Sequence, residues 1–246
     1  MNEQTKQNPQ PNDRAKLFSL RYWLYDFVKI TAALPGLIWF RPKWIYENEA
    51  ARKRIRGGAL VIANHGGFFD PICVMTAIWY RRHRFVCDKM FFQGKKRWLF
   101  ERFLCIPVDR ENVGMDILRT VSDELKAGSL VSLFPEGHVQ EEREGAGLAS
   151  FKSGAVLMAL QGRAPIVPVY CRPKPHFWSR LRMVIGEPID LMERYGKRPS
   201  LSQIEKISEE LRAKEEELIV LAIGGTNTHE DTVKRDLPQV HRRGTV

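Results

Sequence analysis

Residues 58–71 read GALVIANHGGFFDP, and this stretch decides the fold. The five apolar residues Ala59 to Ala63 follow a glycine, a pattern typical of a buried strand in a parallel sheet. A helix is predicted over residues 71–80, directly after the turn that contains His65 and Asp70. Because α/β sheets usually place their sites where a strand opens into a helix, we expect functional side chains in this turn.

The alternation of strand and helix continues on the C-terminal side. Further strands are predicted at 84–87, 105–108, 130–134, 166–170 and 181–185. Further helices are predicted at 98–104, 116–127, 151–160 and 201–222. Strands separated by helices predict an α/β fold with a mainly parallel central sheet flanked by helices.

Composition narrows the class of protein. The chain has 246 residues with 43% hydrophobic content, enough for a real core, which excludes a disordered protein. Its net charge of +10 points to an anionic partner, which is nucleic acid, anionic lipid or a phosphorylated substrate. Its four cysteines form no CxxC pair, so neither a zinc site nor a disulfide framework is expected, and a reducing compartment is the default.

The most hydrophobic segment is Leu17 to Phe40, and it has a narrow polar stripe. At helical spacing Ser19, Asp26 and Lys29 share that stripe, and the remaining face is apolar and much wider. Its uncharged part, residues 30–40, is about half of the roughly 20 residues that a spanning helix requires. A full membrane span is therefore not expected.

Two interpretations of this segment remain. It is either a core helix or an interfacial or re-entrant membrane element, interrupted at Pro35, with Trp39 and Trp44 at headgroup level. The membrane interpretation is slightly favoured. The predicted organisation is a flexible tail at 1–14, a helical membrane-associated segment at 15–57, a catalytic domain at 58–222 and a flexible tail at 223–246.

The turn after the first strand carries a candidate general base. Two glycines follow His65 and permit a tight turn, so that Asp70 can fold back towards the imidazole. A carboxylate bound to one ring nitrogen leaves the other free as a base. No Ser or Cys nucleophile is adjacent, which indicates direct transfer to a substrate hydroxyl. Alternatively, Asp70 and Pro71 are simply the N-cap and first residue of a helix.

Three further motifs lie at predicted strands. They are IPVDR at 106–110, FPEG at 134–137 and APIVPV at 164–169. Arg110 is either a surface charge or a bidentate hydrogen-bond donor to a phosphate group. The FPEG motif by itself indicates a turn. The prolines of the third motif suit an edge strand or a substrate groove.

Taken in order, these motifs resemble those of the glycerolipid acyltransferase family. The resemblance covers about residues 60–188 and includes FKSGA at 151–155 and IGEPI at 185–189. It implies an O-acyltransferase that moves a fatty acyl group from acyl-ACP or acyl-CoA to the free hydroxyl of a lysophospholipid. The implied acceptor is 1-acyl-glycerol-3-phosphate, which would become phosphatidic acid.

The resemblance also implies roles for individual residues. His65 matches the general base, and Asp70 matches its orienting partner. The implied substrate-binding residues are Arg110 at the acceptor phosphate, Glu136 and Gly137 in the acceptor site, and Pro168 near the acyl chain. No metal and no bound cofactor are implied, because the thioester is a substrate.

One departure from the family pattern concerns the acceptor. The family usually continues FPEG with Thr-Arg-Ser, whereas residues 138–140 here are HVQ, so Val139 stands at the arginine position. A lost charge-assisted contact costs about 1.5–3 kcal/mol unless another group replaces it. Lys152, Arg143 or a protonated His138 are candidates for that replacement.

Two alternative functions follow from this departure. The acceptor is a different lysolipid or polar lipid, or the chain is a non-catalytic lipid-binding relative. Intact His65 and Asp70 speak against the second alternative.

The expected partners are a lysophospholipid, an acyl carrier protein or coenzyme A thioester, and an anionic membrane surface. The expected location is the cytoplasmic side of the cell membrane, with peripheral or monotopic attachment. Nucleic acid is not an expected partner, because no zinc-finger, homeodomain or RRM-type pattern is present. The basic runs at 81–84 and 95–97 suit a membrane-facing surface, a carrier-facing surface or solvated loops.

Overall fold

A computed structural model of the chain describes residues 22–67, 69–109, 114–137, 151–172, 180–196 and 199–224. Within these ranges the predicted alternation of strands and helices is confirmed. The strands are β1 (Lys43–Tyr46), β2 (Ala59–Ala63), β3 (His83–Asp88), β4 (Ile106–Val108), β5 (Leu130–Leu133), β6 (Ile166–Arg172) and β7 (Arg182–Ile185). The α-helices are α1 (Trp23–Phe40), α2 (Glu49–Arg52), α3 (Asp70–Ala77), α4 (Arg97–Arg102), α5 (Met115–Lys126), α6 (Gly154–Gly162), α7 (Leu191–Tyr195) and α8 (Leu201–Gly224). Two 3₁₀ turns, Lys89–Phe92 and Gly94–Lys96, lie between β3 and α4.

In the described part of the chain, these strands form one seven-stranded sheet in the order β1-β7-β6-β2-β5-β3-β4. Strands β6, β2, β5, β3 and β4 run parallel to one another. Strand β7 runs antiparallel to β6, and β1 pairs in parallel with β7. The expected mainly parallel sheet is therefore confirmed, and the carboxyl ends of five strands meet at one edge.

Helices cover both faces of the sheet and explain why all five residues of β2 are buried. Leu60 and Ile62 belong to the core under α5, α6 and α8, and Val61 belongs to the core on the side of α3. The predicted C-terminal helix is confirmed as α8, and it packs on the core through the buried residues Ile204, Ile207, Leu211 and Leu218.

The prediction that the prolines suit an edge strand is wrong for Pro168. Strand β6 lies between β2 and β7, inside the sheet. The Pro168 carbonyl accepts a hydrogen bond from the Gly186 amide (2.8 Å), and Ile189 exchanges two bonds with Ile166. The Pro168 nitrogen therefore faces the bend between Gly186 and Ile189, where the ladder requires no donor.

Helix α1 runs continuously from Trp23 to Phe40, so the predicted interruption at Pro35 is wrong. A proline inside a helix removes one backbone hydrogen bond and crowds the carbonyl four residues earlier, yet the backbone of α1 stays helical through Pro35. Of the helices in the described ranges, none is both long enough and apolar enough to cross a bilayer.

Helix α1 makes specific contacts with the domain, and its membrane role stays a prediction. Its polar stripe faces the domain, where Asp26 is buried and pairs with Arg82. Three of its aromatic side chains, Trp23, Phe27 and Trp39, are exposed at 59%, 57% and 58%, whereas Tyr25 is buried. The helix is attached to the domain through the Asp26–Arg82 ion pair and the buried Tyr25, whose ring contacts Phe103 edge-on.

Strand β1 is an element that sequence analysis did not predict. It lies inside the segment 15–57, which was expected to be helical, and it extends the sheet by pairing with β7. The predicted N-terminal tail and residues 225–246 of the C-terminal tail lie outside the described residues. Residues 223 and 224 continue α8.

Candidate active site

The candidate site lies at the carboxyl edge of two neighbouring strands. Strand β2 leads into the turn that carries His65 and Asp70, and β5 leads into residues 134–137. Because β2 and β5 pair in parallel, their exits come to the same place although about 70 residues separate them in the chain. The turn with His65 and Asp70 and the FPEG motif at 134–137 therefore form one site.

Asp70 folds back onto the turn as the two glycines predicted. Its Oδ2 accepts the amides of Gly66 (2.8 Å) and Gly67 (2.7 Å), and it lies 3.1 Å from His65 Nδ1. A carboxylate only accepts, so Nδ1 carries the proton and Nε2 is the basic nitrogen. The N-cap alternative is wrong, because Phe69 holds the cap position and the Asp70 carboxylate bonds to the preceding turn.

Backbone amides are common donors to the oxyanion that forms in acyl transfer, and the amides near the glycines of the two turns are candidates for this role. The Gly66 and Gly67 amides are instead bound to Asp70, and the Gly137 amide donates to the Phe134 carbonyl (3.1 Å). These three amides are thus engaged within the protein.

Asn64, the first residue of the motif, has a structural role. Its Nδ2 donates to the Cys171 carbonyl (3.1 Å), and the Cys171 amide donates to its Oδ1 (2.8 Å). This pair of bonds fixes the exit of β2 against the end of β6. The turn that carries His65 therefore starts from a fixed point.

Glu136 lies behind the histidine rather than open to solvent. Its side chain is 3% exposed, and its Oε1 accepts the His65 amide at 3.4 Å. Burial raises the pKa of the Glu136 carboxyl, and the bond from the His65 backbone opposes that rise. Its predicted contact with the acceptor stays a prediction, because in this structure it touches the backbone of the base.

A second carboxyl group lies deeper, on α8. Glu215 is fully buried, and neither carboxyl oxygen has a hydrogen-bond partner among the described residues. Burial raises the pKa of Glu215 well above its usual range, and the nearby Glu136 adds to the rise. This environment therefore favours the protonated form of the Glu215 carboxyl.

Phe134 makes a contact that sequence analysis did not predict. Its ring stacks on the His65 imidazole with centroids 4.2 Å apart and planes 17° from parallel. The residue was visible in the FPEG motif. Its neighbour was not, because nothing in the chain order places β5 beside β2.

Gly137 and Lys152 meet beside this pair. Gly137 has φ +77°, and the Lys152 Nζ lies 2.9 Å from the position that a Cβ on Gly137 would take. The Lys152 amide also donates to the Pro135 carbonyl (3.2 Å). The ammonium group of Lys152 is thus held across the glycine, at the turn that follows β5.

The structure brings together most of the predicted site residues. His65, Asp70 and Glu136 are in direct contact, and Gly137 and Lys152 lie next to them. Pro168 is separate from this group, since it pairs with Ile62 inside the sheet. Arg110 and residues 138–140 lie outside the described ranges.

No metal site is evident in the same ranges. There, no three His, Cys, Asp or Glu side chains lie close enough together to hold a metal ion.

Comparison with known proteins gives concordant matches. A family model described as Acyltransferase matches residues 44–172. The chain is 30% identical to the 1-acyl-sn-glycerol-3-phosphate acyltransferase of Bacillus subtilis (strain 168) over 169 residues, which is 65% of this chain and 81% of that protein. The crystal structure of the 1-acyl-sn-glycerophosphate (LPA) acyltransferase PlsC from Thermotoga maritima superposes with a TM-score of 0.56 and 20% identity, covering 80% of each chain. At that identity the structural match shows a shared fold.

Proposed function

Because this chain belongs to the acyltransferase family, we propose that it acylates 1-acyl-glycerol-3-phosphate. The reaction transfers a fatty acyl group from a thioester to the free hydroxyl and gives phosphatidic acid. The observation that carries the proposal is the 3.1 Å contact between His65 Nδ1 and Asp70, which leaves Nε2 as a base. The Bacillus subtilis relative, whose name specifies this acceptor, supports the choice of substrate.

The chemistry requires only groups of the chain and its substrates. His65 Nε2 takes the proton of the acceptor hydroxyl while the oxygen attacks the thioester carbonyl carbon. The tetrahedral intermediate then collapses, the C–S bond breaks, and the thiolate takes the proton from the imidazolium. A positioned base of this kind contributes about 10²–10⁴-fold to the rate.

Recognition of the acceptor phosphate is assigned to cationic side chains near the base. Lys152 is the described candidate, because its ammonium lies across Gly137 beside Glu136. Arg110 completes the proposed phosphate contact. Val139 stands where the family has an arginine, and this favours, as a second candidate function, acylation of another lysolipid.

The proposal includes peripheral attachment to an anionic membrane on its cytoplasmic side. Helix α1 supports it with the exposed rings of Trp23, Phe27 and Trp39. The segment after β3 begins at the same sheet edge as His65 and exposes Lys95, Lys96, Arg97, Trp98 and Leu99. Exposed aromatic rings beside Lys and Arg are the usual composition of an interfacial membrane contact.

Release of free thiol from the donor tests the proposal. Each acceptor is offered with oleoyl-ACP and with oleoyl-CoA, and the acceptors are lysophosphatidic acid, lysophosphatidylglycerol and monoacylglycerol. We expect thiol release with lysophosphatidic acid, little with monoacylglycerol, and none from the His65→Ala variant. Equal turnover of monoacylglycerol would reject phosphate recognition. A thioester that stays intact with every acceptor would identify a lipid-binding relative without catalysis.

A further inference from the structure

The catalytic base stands at one end of a row of nearly parallel rings. Phe134 stacks on His65 (4.2 Å, 17°), Phe85 lies over Phe134 (6.5 Å, 15°), and His83 lies over Phe85 (5.5 Å, 12°). We call these four residues the ring row. It extends from the open edge of the sheet to the fully buried His83.

The inner end of the ring row is fixed. His83 Nδ1 is 2.8 Å from Ser132 Oγ on β5, and His83 Nε2 is 3.2 Å from the Ile78 carbonyl. Burial lowers the pKa of His83 to about 3, so this ring is neutral and does not compete for the proton at the site. Phe134 therefore cannot tilt towards the core without disturbing buried, hydrogen-bonded groups.

We propose that Phe134 is a positioning residue for His65, holding the imidazole plane and stabilising the imidazolium that forms during transfer. The proposal rests on the proposed function, in which His65 Nε2 takes the acceptor's proton. Asp70 contacts one edge of the imidazole through Nδ1. Phe134 contacts the face of the same ring. Together they fix both its rotation and its tilt.

The physical basis is the charge distribution of an aromatic ring. The face of a phenyl ring carries partial negative charge and attracts a cation above it, more strongly when water is excluded. The imidazole is neutral before proton transfer and positive afterwards. The stacking contact is therefore stronger in the state that leads to products, which lowers the barrier.

An aliphatic side chain of similar size separates this role from simple packing. Phe134→Leu keeps apolar volume beside His65 and removes the π face, whereas Phe134→Tyr keeps the ring. Phe100→Leu is the matched control, because Phe100 stacks on Phe91 (5.0 Å) and makes no described contact with His65. We expect Phe134→Leu to lower kcat about two- to thirtyfold with little change in KM, since a cation over an aromatic face contributes about 0.5–2 kcal/mol.

The pH profile gives a readout that packing alone does not move. Loss of the π face disfavours the imidazolium, so the acid limb of kcat/KM moves to lower pH in Phe134→Leu. The other titratable groups around His65 are Asp70 in its own turn, Glu136 after β5, Lys152 across Gly137 before α6, and Glu215, which is close to Glu136. All four are unchanged in this variant. Phe134→Tyr and Phe100→Leu should keep the wild-type kcat and acid limb.

Two results would overturn the proposal. One is a folded Phe134→Leu variant with the kcat and acid limb of wild type, and the other is a Phe134→Tyr variant as impaired as Phe134→Leu. If Phe134→Leu does not fold, Phe134→Met gives the same comparison with a flexible side chain. If wild type consumes no thioester, the proposed function fails. NMR titration of the His65 ring then tests the contact separately, and an equal midpoint in wild type and Phe134→Leu rejects it.

Discussion

Asp26 and Arg82 form a buried ion pair that joins helix α1 to the start of strand β3. Arg82 Nε and Nη2 lie 2.9 and 2.7 Å from the two carboxylate oxygens. The two side chains are only 8% and 6% exposed. The neighbouring residues are joined as well, because the His83 amide donates a hydrogen bond to the Tyr25 hydroxyl (2.9 Å). The helix is thus an integral part of the fold, and its exposed aromatic face has a fixed position on the domain.

Asp26→Ala should destabilise the protein strongly. Breaking a buried pair by removing one partner typically costs about 3–5 kcal/mol, because the remaining charge stays buried without its counter-ion. Urea unfolding measures the loss. Glu49→Ala is the control, since Glu49 pairs with Arg52 at the surface (3.4 Å). A loss from Asp26→Ala no larger than the control would mean that α1 is not held by this pair.

The double variant Trp23→Ser/Phe27→Ser should weaken membrane attachment and leave the fold intact. Both side chains are exposed and make little packing contact with the domain. Burial of apolar surface in the interface is lost with them. Cosedimentation with phosphatidylglycerol vesicles measures binding, and thermal melting checks the fold. Leu201→Ser is the control, because Leu201 is exposed at the start of α8. Equal vesicle binding in all three proteins would reject α1 as the membrane contact.

Local patterns predicted the parts of the fold that local forces determine. The buried strand β2 was predicted because five consecutive apolar residues after a glycine indicate a strand that is covered on both faces. Strand β1 was missed because it is four residues long, largely exposed, and paired with residues 182–185 far along the chain. The direction of α1 was undetermined because its anchors, Arg82 and His83, are equally remote.

The same distinction applies to the site. The contact of His65 with Asp70 was predictable, because two glycines close a short turn. The contacts of Phe134 and Glu136 with His65 depend on β2 and β5 being neighbours. Glu215 is a different kind of miss, since it falls on the buried helical face of Leu211 and Leu218. Glu215 has the helical spacing of the buried residues, but a charged side chain is not expected in a core, so its burial was not predicted.

Asp70→Asn should remove most of the activity. The carboxylate accepts three N–H groups and fixes the proton on His65 Nδ1. The side-chain amide of the variant would be a weaker hydrogen-bond acceptor than the carboxylate, and it would allow the His65 proton to move from Nδ1 to Nε2. We therefore expect kcat to fall by about 10²–10⁴-fold. The His65→Ala variant gives the background rate of the thiol-release assay. An Asp70→Asn enzyme that is folded by circular dichroism and keeps a tenth of wild-type kcat would contradict the orienting role.

Gly137→Ala should cost both stability and turnover. Its φ of +77° disfavours any residue with a Cβ, and the new Cβ would lie 2.9 Å from the Lys152 Nζ. The unfavourable backbone conformation alone should lower the free energy of unfolding by about 1–2 kcal/mol. Gly196→Ala is a matched control with φ +79° and nothing within 4 Å of a new Cβ. Both variants are expected to melt at a lower temperature than wild type, but only Gly137→Ala should lower turnover. Equal turnover in both would show that Lys152 is not needed where it lies.

Glu215→Gln should stabilise the protein, and increasingly so as the pH rises. Burial raises the pKa of Glu215 in the fold, so below the usual carboxyl pKa both folded and unfolded chains hold the proton and the wild type has no penalty. Above that pH the unfolded chain releases its proton while the fold keeps it, and stability falls by about 1.4 kcal/mol per pH unit until the folded group ionises. Glutamine never ionises and escapes this loss.

The test is urea unfolding of wild type and Glu215→Gln between pH 4 and pH 8. Glu205→Gln, at an exposed position on the same helix, serves as the control. The free energies of unfolding of wild type and Glu215→Gln should be similar near pH 4 and diverge steadily as the pH rises. The Glu205→Gln control should keep a constant difference from wild type. If the Glu215→Gln curve also runs parallel to wild type, Glu215 is ionised in the fold. It would then have to be held by a cation, and Glu136 would have a charged neighbour rather than a neutral one behind the catalytic base.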